Sequence, residues 1–479
     1  MKRLRAQRGE LTASVEAELP ARWEVGYYDD DEKVVLVVVD GIDGGILESW
    51  TDDQVLWPMA RGRDGQFGHI LNSPWVWGAL ALIFLLGLFD WRRPFRLVHL
   101  DLLVLLSFGV SHAFFNAAEI GVSVPLYYPP LVYLLARALW IGFRGVGEGL
   151  RPRAPTLLLA IAIVALLVFR VGINVSDSGV IDVGYAGVVG ADRLLDAEPL
   201  WGEDAFPENN PTGDTYGPAN YLAYVPFEQA LPWSGEWDDL PAAHAAALGF
   251  DLLCVVGLLL LGRRLAGNRL GAILAFAWLA YPYTAFVTQS NSNDSLLAAL
   301  VIWSLLAFAS PLARGALLAA AALSKFAPLV LAPLLFAGER GLAARPFDRA
   351  RLRNVLLCVA GFTAAAALLL AHPAVDPGLA TFWERTIGSQ AGRESPFSIW
   401  GQADLGFLHM VLKLAVAGLV VLIAFLPRER DLVRIAALGA AAMIAVQLLA
   451  EHWFYLYIVW FLPLLLVALA APRLASAPR

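Results

Sequence analysis

The sequence predicts an all-α polytopic membrane protein carrying a small α+β domain at its N-terminus. Three observations predict it. Hydrophobic residues make up 58% of the 479 positions and charged residues only 16%, and mean hydropathy is +0.61. The apolar residues fall in blocks of about 20, the length that spans a bilayer. The charges that remain are sorted by sign. Residues 173–240 hold thirteen Asp/Glu and a single basic residue, Arg193, whereas the short loops elsewhere are rich in arginine.

Residues 1–72 are the only stretch with soluble character. Segment 11–19 is expected to form a short helix. Segments 23–28, 33–40 and 46–50 are rich in Val, Tyr and Trp and read as strands, with a glycine-rich turn at 41–45. That helix-then-strands order, with the run VVVDGIDGGILESWTD, resembles small PepSY-like envelope domains, and the resemblance implies an accessory module.

Apolar spans follow at 74–90, 97–115, 125–143, 155–173, 241–262, 270–288, 295–311, 313–337, 354–372, 406–426, 432–450 and 453–471. This makes about 12–13 transmembrane segments. Segment 313–336 is unusual. Arg314 opens it, Ser324 and Lys325 sit at its centre, Pro328 and Pro333 follow, and a basic loop at 340–353 closes it. Both flanks favour the cytoplasm, and a lysine at the middle of a single span costs several kcal/mol. Two half-length helices with Lys325 at the apex satisfy both constraints.

Basic loops (Arg92, Arg93 and Arg96; Arg144, Arg151 and Arg153; Arg263, Arg264 and Arg269; Arg428, Arg430 and Arg434) then place the C-terminus inside and the acidic loop outside. The N-terminal domain falls outside, although Arg61 and Arg63 flank the first span on that side. No cleavable signal peptide is expected, so the first span inserts the chain. Cys254 and Cys358 lie within spans and read as small apolar residues.

Under this topology the unusual polar residues gather at the outer face of a plasma-membrane protein. Asp182 opens an amphipathic helix with Tyr185, Val188, Val189 and Leu195 on one side. Asp182 is either a general base just outside the bilayer or an N-cap, and Asp177 competes for the same role. The run GDTYGPANYLAYVPFEQALPW at 213–233 supplies Asp214 and Tyr216 ahead of a second interfacial helix. Asn291, Asn293 and Asp294 link two spans in what is either a plain turn or a polar subsite. Lys325 either snorkels to a lipid headgroup or holds a phosphate. Arg385 and Arg393 lie near Trp383, Phe397 and Trp400, a mixture suited to a phosphate and a sugar face. His452 begins the aromatic run at the last span.

Several classes are excluded. The chain has no G-x-x-x-x-G-K-[ST], no H-E-x-x-H and no C-x-x-C, and no basic domain suited to nucleic acid.

Five stretches carry a family likeness: Asp182 and Tyr185 with ADRLLDAEPLW; Thr215-Tyr216-Gly217-Pro218 ahead of 221–226; the polar turn from Asn291 to Asp294; the R-x-x-x-x-A-x-x-x-x-S-K-x-x-P pattern from Arg314 to Pro328; and the H-W-F-Y run at His452. Over residues 155–471 the chain resembles the GT-C superfamily of integral-membrane glycosyltransferases. It is most similar to the polyprenyl-phosphate-mannose-dependent mannosyltransferases of family 87. The resemblance implies a GT-C-like catalytic region at 155–479 with its external loop at 173–240, preceded by additional helices at 73–154 and the domain at 1–72. It implies a polyprenyl-phosphate sugar donor, such as polyprenyl-phosphate mannose, and a glycolipid or glycan acceptor of the cell envelope. Asp182 or Asp177 would be catalytic. Lys325, Arg393, Arg385, Tyr216, Asp214, Asn293 and His452 would bind substrate. No metal or other cofactor is expected. Two departures stand out: four spans precede the loop that carries the acid, and two aspartates fit its position. The competing class is a transporter or flippase for a lipid-linked or anionic solute. A third is a non-catalytic envelope protein with 1–72 as its ligand module.

Overall fold

The computed structural model describes residues 4–8, 11–18, 22–29, 32–64, 67–145, 149–203, 205–207, 210–237, 239–389 and 395–471. The chain divides into two compact units, residues 1–67 with 110–124 and residues 68–109 with 125–479.

The first unit is built on a five-stranded antiparallel meander: β1 (Leu4–Arg8), β2 (Leu11–Glu18), β3 (Arg22–Asp29), β4 (Glu32–Asp40) and β5 (Ile46–Thr51), each paired with the next. The helix expected over 11–19 is instead strand β2. LTASVEAE alternates apolar and polar residues without a break, and that period of two outweighs the helix propensity of its Leu, Ala and Glu. Strands β3 to β5 lie where the sequence places them. The turn between β4 and β5 is tied by Asp40, whose Oδ1 accepts from the Ile42 amide at 2.7 Å. Gly44 there adopts φ 76°, a conformation that glycine enters without strain. Within 110–124, Ser111 and Ser123 each donate a hydroxyl to the other's carbonyl, at 2.8 and 2.9 Å.

The second unit is helical. Its helices, including the two that pass through 110–124, are α1 (Pro74–Leu88), α2 (Leu97–Asn116), α3 (Ile120–Arg144), α4 (Thr156–Ser176), α5 (Asp182–Leu195), α6 (Pro218–Ala230), α7 (Pro241–Ala266), α8 (Asn268–Ala280), α9 (Pro282–Gln289), α10 (Asp294–Leu306), α11 (Pro311–Ala322), α12 (Ala332–Ala337), α13 (Arg349–Leu369), α14 (Gly406–Phe425), α15 (Leu432–Gln447) and α16 (Ile458–Ala470). Every expected span contains a helix. Among the described residues, α2, α4, α7, α13 and α14 are long and apolar enough to cross a membrane, and the bent pair α8–α9 makes a sixth. Most of the rest are apolar helices of 10–17 residues. The protein is therefore α-rich, and its long apolar helices are consistent with a polytopic membrane protein.

The 59° bend between α8 and α9 has a local cause. Pro282 has no amide to give the Trp278 carbonyl, so the ladder breaks there. Arg170 of α4 fills the gap. Its Nη2 donates to the Trp278 and Leu279 carbonyls at 3.1 and 2.9 Å, and its Nη1 donates to Asp251 of α7 at 2.7 Å. Trp278 Nε1 donates to the same carboxylate at 2.7 Å. Burying this pair is tolerable because the charges meet directly and Arg170 Nη2 donates to three further acceptors, leaving only its Nε without a partner. A second buried pair, Arg137 with Asp101 at 3.0 Å, joins α3 to α2.

Segment 311–337 folds back on itself. After α11 the chain turns at 323–326, makes a short 3-10 turn at Ala327–Leu331 and leaves through α12. Its two feet meet: a Cβ placed on Gly338 would lie 3.6 Å from Arg314 Nη2. The expected hairpin with Lys325 at its apex is what the chain forms. Helix α11 lies tight against α13 because Gly315 and Gly361 admit the opposing backbone; a Cβ on either would come within 2.2 Å of a carbonyl oxygen.

Helices α5 and α6 pack together rather than presenting an apolar face outward. Tyr185, Val188 and Val189 of α5 are buried with Tyr221, Tyr224, Trp201 and Phe250. Gly187 and Gly190 are the flat spots on which the Tyr224 and Tyr221 rings rest.

Candidate functional site

The hairpin tip is held by the loop that precedes α6. The Gly217 amide donates to the Ser324 carbonyl at 3.3 Å, and the Ala219 amide to Leu323 at 3.0 Å. Any Cβ on Gly217 would lie 2.0 Å from the Leu323 oxygen, so only glycine fits between loop and tip. This is the physical reason that TYGP and the S-K turn occur together in one sequence.

Lys325 is directed from the tip into an acidic and aromatic enclosure. Its Nζ lies 2.5 Å from Asp294 Oδ1, at the start of α10, and is 12% exposed. Tyr216, Tyr457 and Trp460 place ring centres 5.8, 5.8 and 5.4 Å from it. Cation–π attraction thus reinforces the ion pair. Asp294 is itself fully held: Trp460 Nε1 donates to Oδ1 at 2.7 Å, and the Ser292 hydroxyl donates to Oδ2. Two of the three N–H bonds of the ammonium remain for another acceptor.

Asp182 acts on Tyr216 through its charge. It is exposed, at the first turn of α5, and Ile181 rather than Asp182 occupies the cap position. Burial, then the charges of Asp182, Tyr457 and Asp294, pushes the Tyr216 phenol well above its ordinary range. Tyr216 thus feels the charge of Asp182 and lies 5.8 Å from the Lys325 ammonium. Asp177 belongs elsewhere. Its carboxylate faces His69 Nδ1 at 3.3 Å, with both side chains nearly half exposed.

The remaining candidates divide. Asn293 is buried and donates to Asn220 Oδ1 at 2.7 Å, while Asn293 Oδ1 and Asn220 Nδ2 are buried without hydrogen-bond partners. Asn293 adjoins Asp294 in sequence, and the two amides leave one acceptor and one donor unpaired. Asn291 is a structural brace, with φ 48°, donating to Ser178 Oγ at 3.0 Å and accepting from Asn174 at 2.8 Å. His452 pairs through Nδ1 with Ser395 Oγ at 2.9 Å, and its ring lies 6.5 Å from that of Tyr457, at the edge of the enclosure.

Asp214 and Arg385 pair with each other. Arg385 Nε lies 2.5 Å from Asp214 Oδ2, which raises the Arg385 pKa. Together with Glu384 they line a separate cavity of about 520 Å³. Arg393 lies outside the described residues.

Sequence reasoning did not single out Trp460 or the partnership of Asp294 with Lys325. Trp460 sits inside an apolar span and reads like any interfacial aromatic. Asp294 had a readable signal, since an acid and a lysine that both sit within apolar segments tend to pair.

Among the described residues, no group of three or more His, Cys, Asp or Glu side chains is arranged to hold a metal ion. No protein-family model matches the chain, and no curated protein matches it.

Proposed function

We propose that the protein is a membrane glycosyltransferase of the GT-C type. It would move a sugar from a polyprenyl-phosphate donor to an envelope acceptor at the outer face of the membrane, within a bundle of about 12–13 segments. The observation that carries this reading is the setting of Tyr216. The Lys325 ammonium, paired with Asp294 at a re-entrant tip, lies 5.8 Å from the Tyr216 ring centre, and the charge of the exposed Asp182 acts on the same phenol.

The reaction is a displacement at the sugar anomeric carbon. The acceptor hydroxyl oxygen bonds to that carbon, and Asp182 accepts the hydroxyl proton. The bond from the anomeric carbon to the phosphate oxygen breaks, and polyprenyl phosphate leaves with the electron pair. A phosphate is a weak base, so its departure requires charge compensation rather than a proton. The two N–H bonds of Lys325 that Asp294 leaves free supply it, in surroundings where water is largely excluded. Asp294 fixes the ammonium in place. The faces of Tyr216, Tyr457 and Trp460 suit a sugar ring or the first prenyl units, and Asn293 and His452 suit sugar hydroxyls.

The transporter reading draws on one observation, the broken pair α8–α9 braced by the buried Arg170–Asp251 pair. That cluster pairs its charges internally at the helix break and leaves only the buried Arg170 Nε without a partner, which favours a structural brace.

The test is sugar transfer from radiolabelled polyprenyl-phosphate-mannose by the purified protein to membrane acceptors, with other polyprenyl-phosphate sugars run in parallel. Labelled glycan formed together with free polyprenyl phosphate supports the reading. Movement of a labelled lipid or solute between leaflets of proteoliposomes, without transfer of any sugar, would replace it with the transporter.

A further inference from the structure

The feet of the hairpin carry a second polar cluster, one that the proposed reaction does not use. A cavity of about 410 Å³ opens there, with Arg314, Arg340, Arg351 and Asn354 in its wall beside Glu339 and Asp348. Arg314 and Arg351 are 4% and 7% exposed.

The arginines are held in place by neutral groups. Arg314 Nη1 donates to the Phe308 carbonyl at 2.8 Å, and its guanidinium stacks 4.3 Å from the Phe308 ring centre. Arg351 Nη1 donates to Ala344 at 2.6 Å and Nη2 to Arg340 at 3.0 Å, over the Phe347 ring. Arg340 Nη2 donates to Arg345 at 3.0 Å. Behind them, Arg430 donates to the Gly338 and Ile423 carbonyls. Among the described residues, no ion pair joins Glu339 or Asp348 to any of these arginines. The Asp348 carboxylate caps α13 by accepting from the Arg351 amide at 2.8 Å.

Buried guanidinium groups ordinarily find carboxylates. Here four gather with backbone carbonyls alone. The Nε atoms of Arg314, Arg340 and Arg351 and Nη2 of Arg430 are buried without a hydrogen-bond partner. Burial, then the neighbouring Arg351, pulls the Arg430 guanidinium down to about 10. The guanidinium groups outnumber the carboxylates in the wall and sit beside a cavity. A planar fork of donors fixed in this way is suited to the oxygens of a phosphate.

We propose that this cavity binds a phosphate-type oxyanion, held by Arg314 and Arg340 with Arg351 and Asn354 beside them. Two sources share that chemistry: the headgroup of an anionic phospholipid, and free phosphate or diphosphate. The site is distinct from the Lys325 tip, and its occupant would lock the two feet of the hairpin together.

The experiment measures thermal unfolding of the full chain in zwitterionic nanodiscs, at constant ionic strength. Diphosphate or inorganic phosphate is titrated in, and separate nanodiscs contain phosphatidylglycerol. A rise in Tm of at least about 3 °C is expected from one of these probes. Stabilisation by diphosphate assigns the soluble source; stabilisation by phosphatidylglycerol alone assigns the headgroup. Arg340→Gln, a change at a half-buried side chain, should abolish the shift. Because that variant could fold poorly, saturable binding of radiolabelled diphosphate, or of a labelled anionic lipid, to the wild-type protein is measured as well. Absence of stabilisation and saturable binding with every probe overturns the proposal, as does an undiminished shift in a folded Arg340→Gln protein.

Discussion

Replacing Asp294 with asparagine tests the tip most sharply as a structural device. The Asp294 side chain is 1% exposed and that of Lys325 12%, with 2.5 Å between Oδ1 and Nζ. Asparagine keeps the shape and removes the charge. Lys325 is then left as a buried cation without a counter-charge, and an amide N–H₂ must avoid its ammonium. Breaking one partner of a buried pair costs about 3–5 kcal/mol. A Coulomb estimate agrees: two unit charges about 4 Å apart at an effective dielectric of about 20 attract by about 4 kcal/mol. The three surrounding rings hold the ammonium in both proteins and so leave this difference unchanged; a loss of about 3–5 kcal/mol is expected. Lys325→Met alone should cost a comparable amount by stranding Asp294, and the double variant should recover most of it. The assay is a double-mutant cycle on denaturant unfolding of the protein in mild detergent. A coupling of at least about 3 kcal/mol is predicted. Additivity within about 0.5 kcal/mol would refute the buried-pair argument.

Three other outcomes follow from the same geometry. Gly217→Ala should loosen the tip, since its Cβ would lie 2.0 Å from the Leu323 oxygen. A loss of about 1–3 kcal/mol is expected, with faster proteolysis at 323–326, whereas Gly418→Ala, with open space around it, should be silent in both assays. Glu228 is buried on α6, and burial raises its pKa above the ordinary value of 4.5, partly offset by the bond from the Trp233 amide. A raised carboxyl stabilises the fold when protonated, so that stability is present below pH 4.5 and declines as pH climbs through the higher folded value. Glu228→Gln should therefore flatten the pH–stability curve above pH 4.5 and be no less stable at pH 7; a variant less stable at pH 7 would contradict this. Arg170→Leu should cost about 3–5 kcal/mol, while Arg170→Leu with Asp251→Leu should cost much less. Thermal unfolding of the two variants side by side decides it.

Much of the helical unit was legible because its signal is crude and strong. Blocks of about 20 apolar residues allow few alternatives in a bilayer. The hairpin at 311–337 was readable for a finer reason: a central lysine and basic flanks cannot both be satisfied by one straight span. The helix expected over 11–19 failed because propensity was preferred to an unbroken alternation of period two. At the tip, Lys325 and Tyr216 stood out as polar groups in apolar surroundings. Their shared neighbour Trp460 did not, because nothing along the chain distinguishes an aromatic that donates to Asp294 from one that rests in lipid. Asp177 and Asp182 were inseparable for a similar reason. Five positions apart, they differ only in what the fold brings to them: His69 to one, Tyr216 to the other. Arg170 and Asp251 were visible as charges within apolar spans, yet their joint role at the Pro282 break depends on three helices meeting.

The most direct measurement is the turnover of labelled polyprenyl-phosphate sugar by wild type, Asp182→Asn and Asp177→Asn, alongside donor-lipid binding by each. The account predicts that Asp182→Asn binds the donor normally but transfers about 10²–10⁴-fold more slowly, while Asp177→Asn stays within a few-fold of wild type. Near wild-type transfer by a folded Asp182→Asn protein would contradict it.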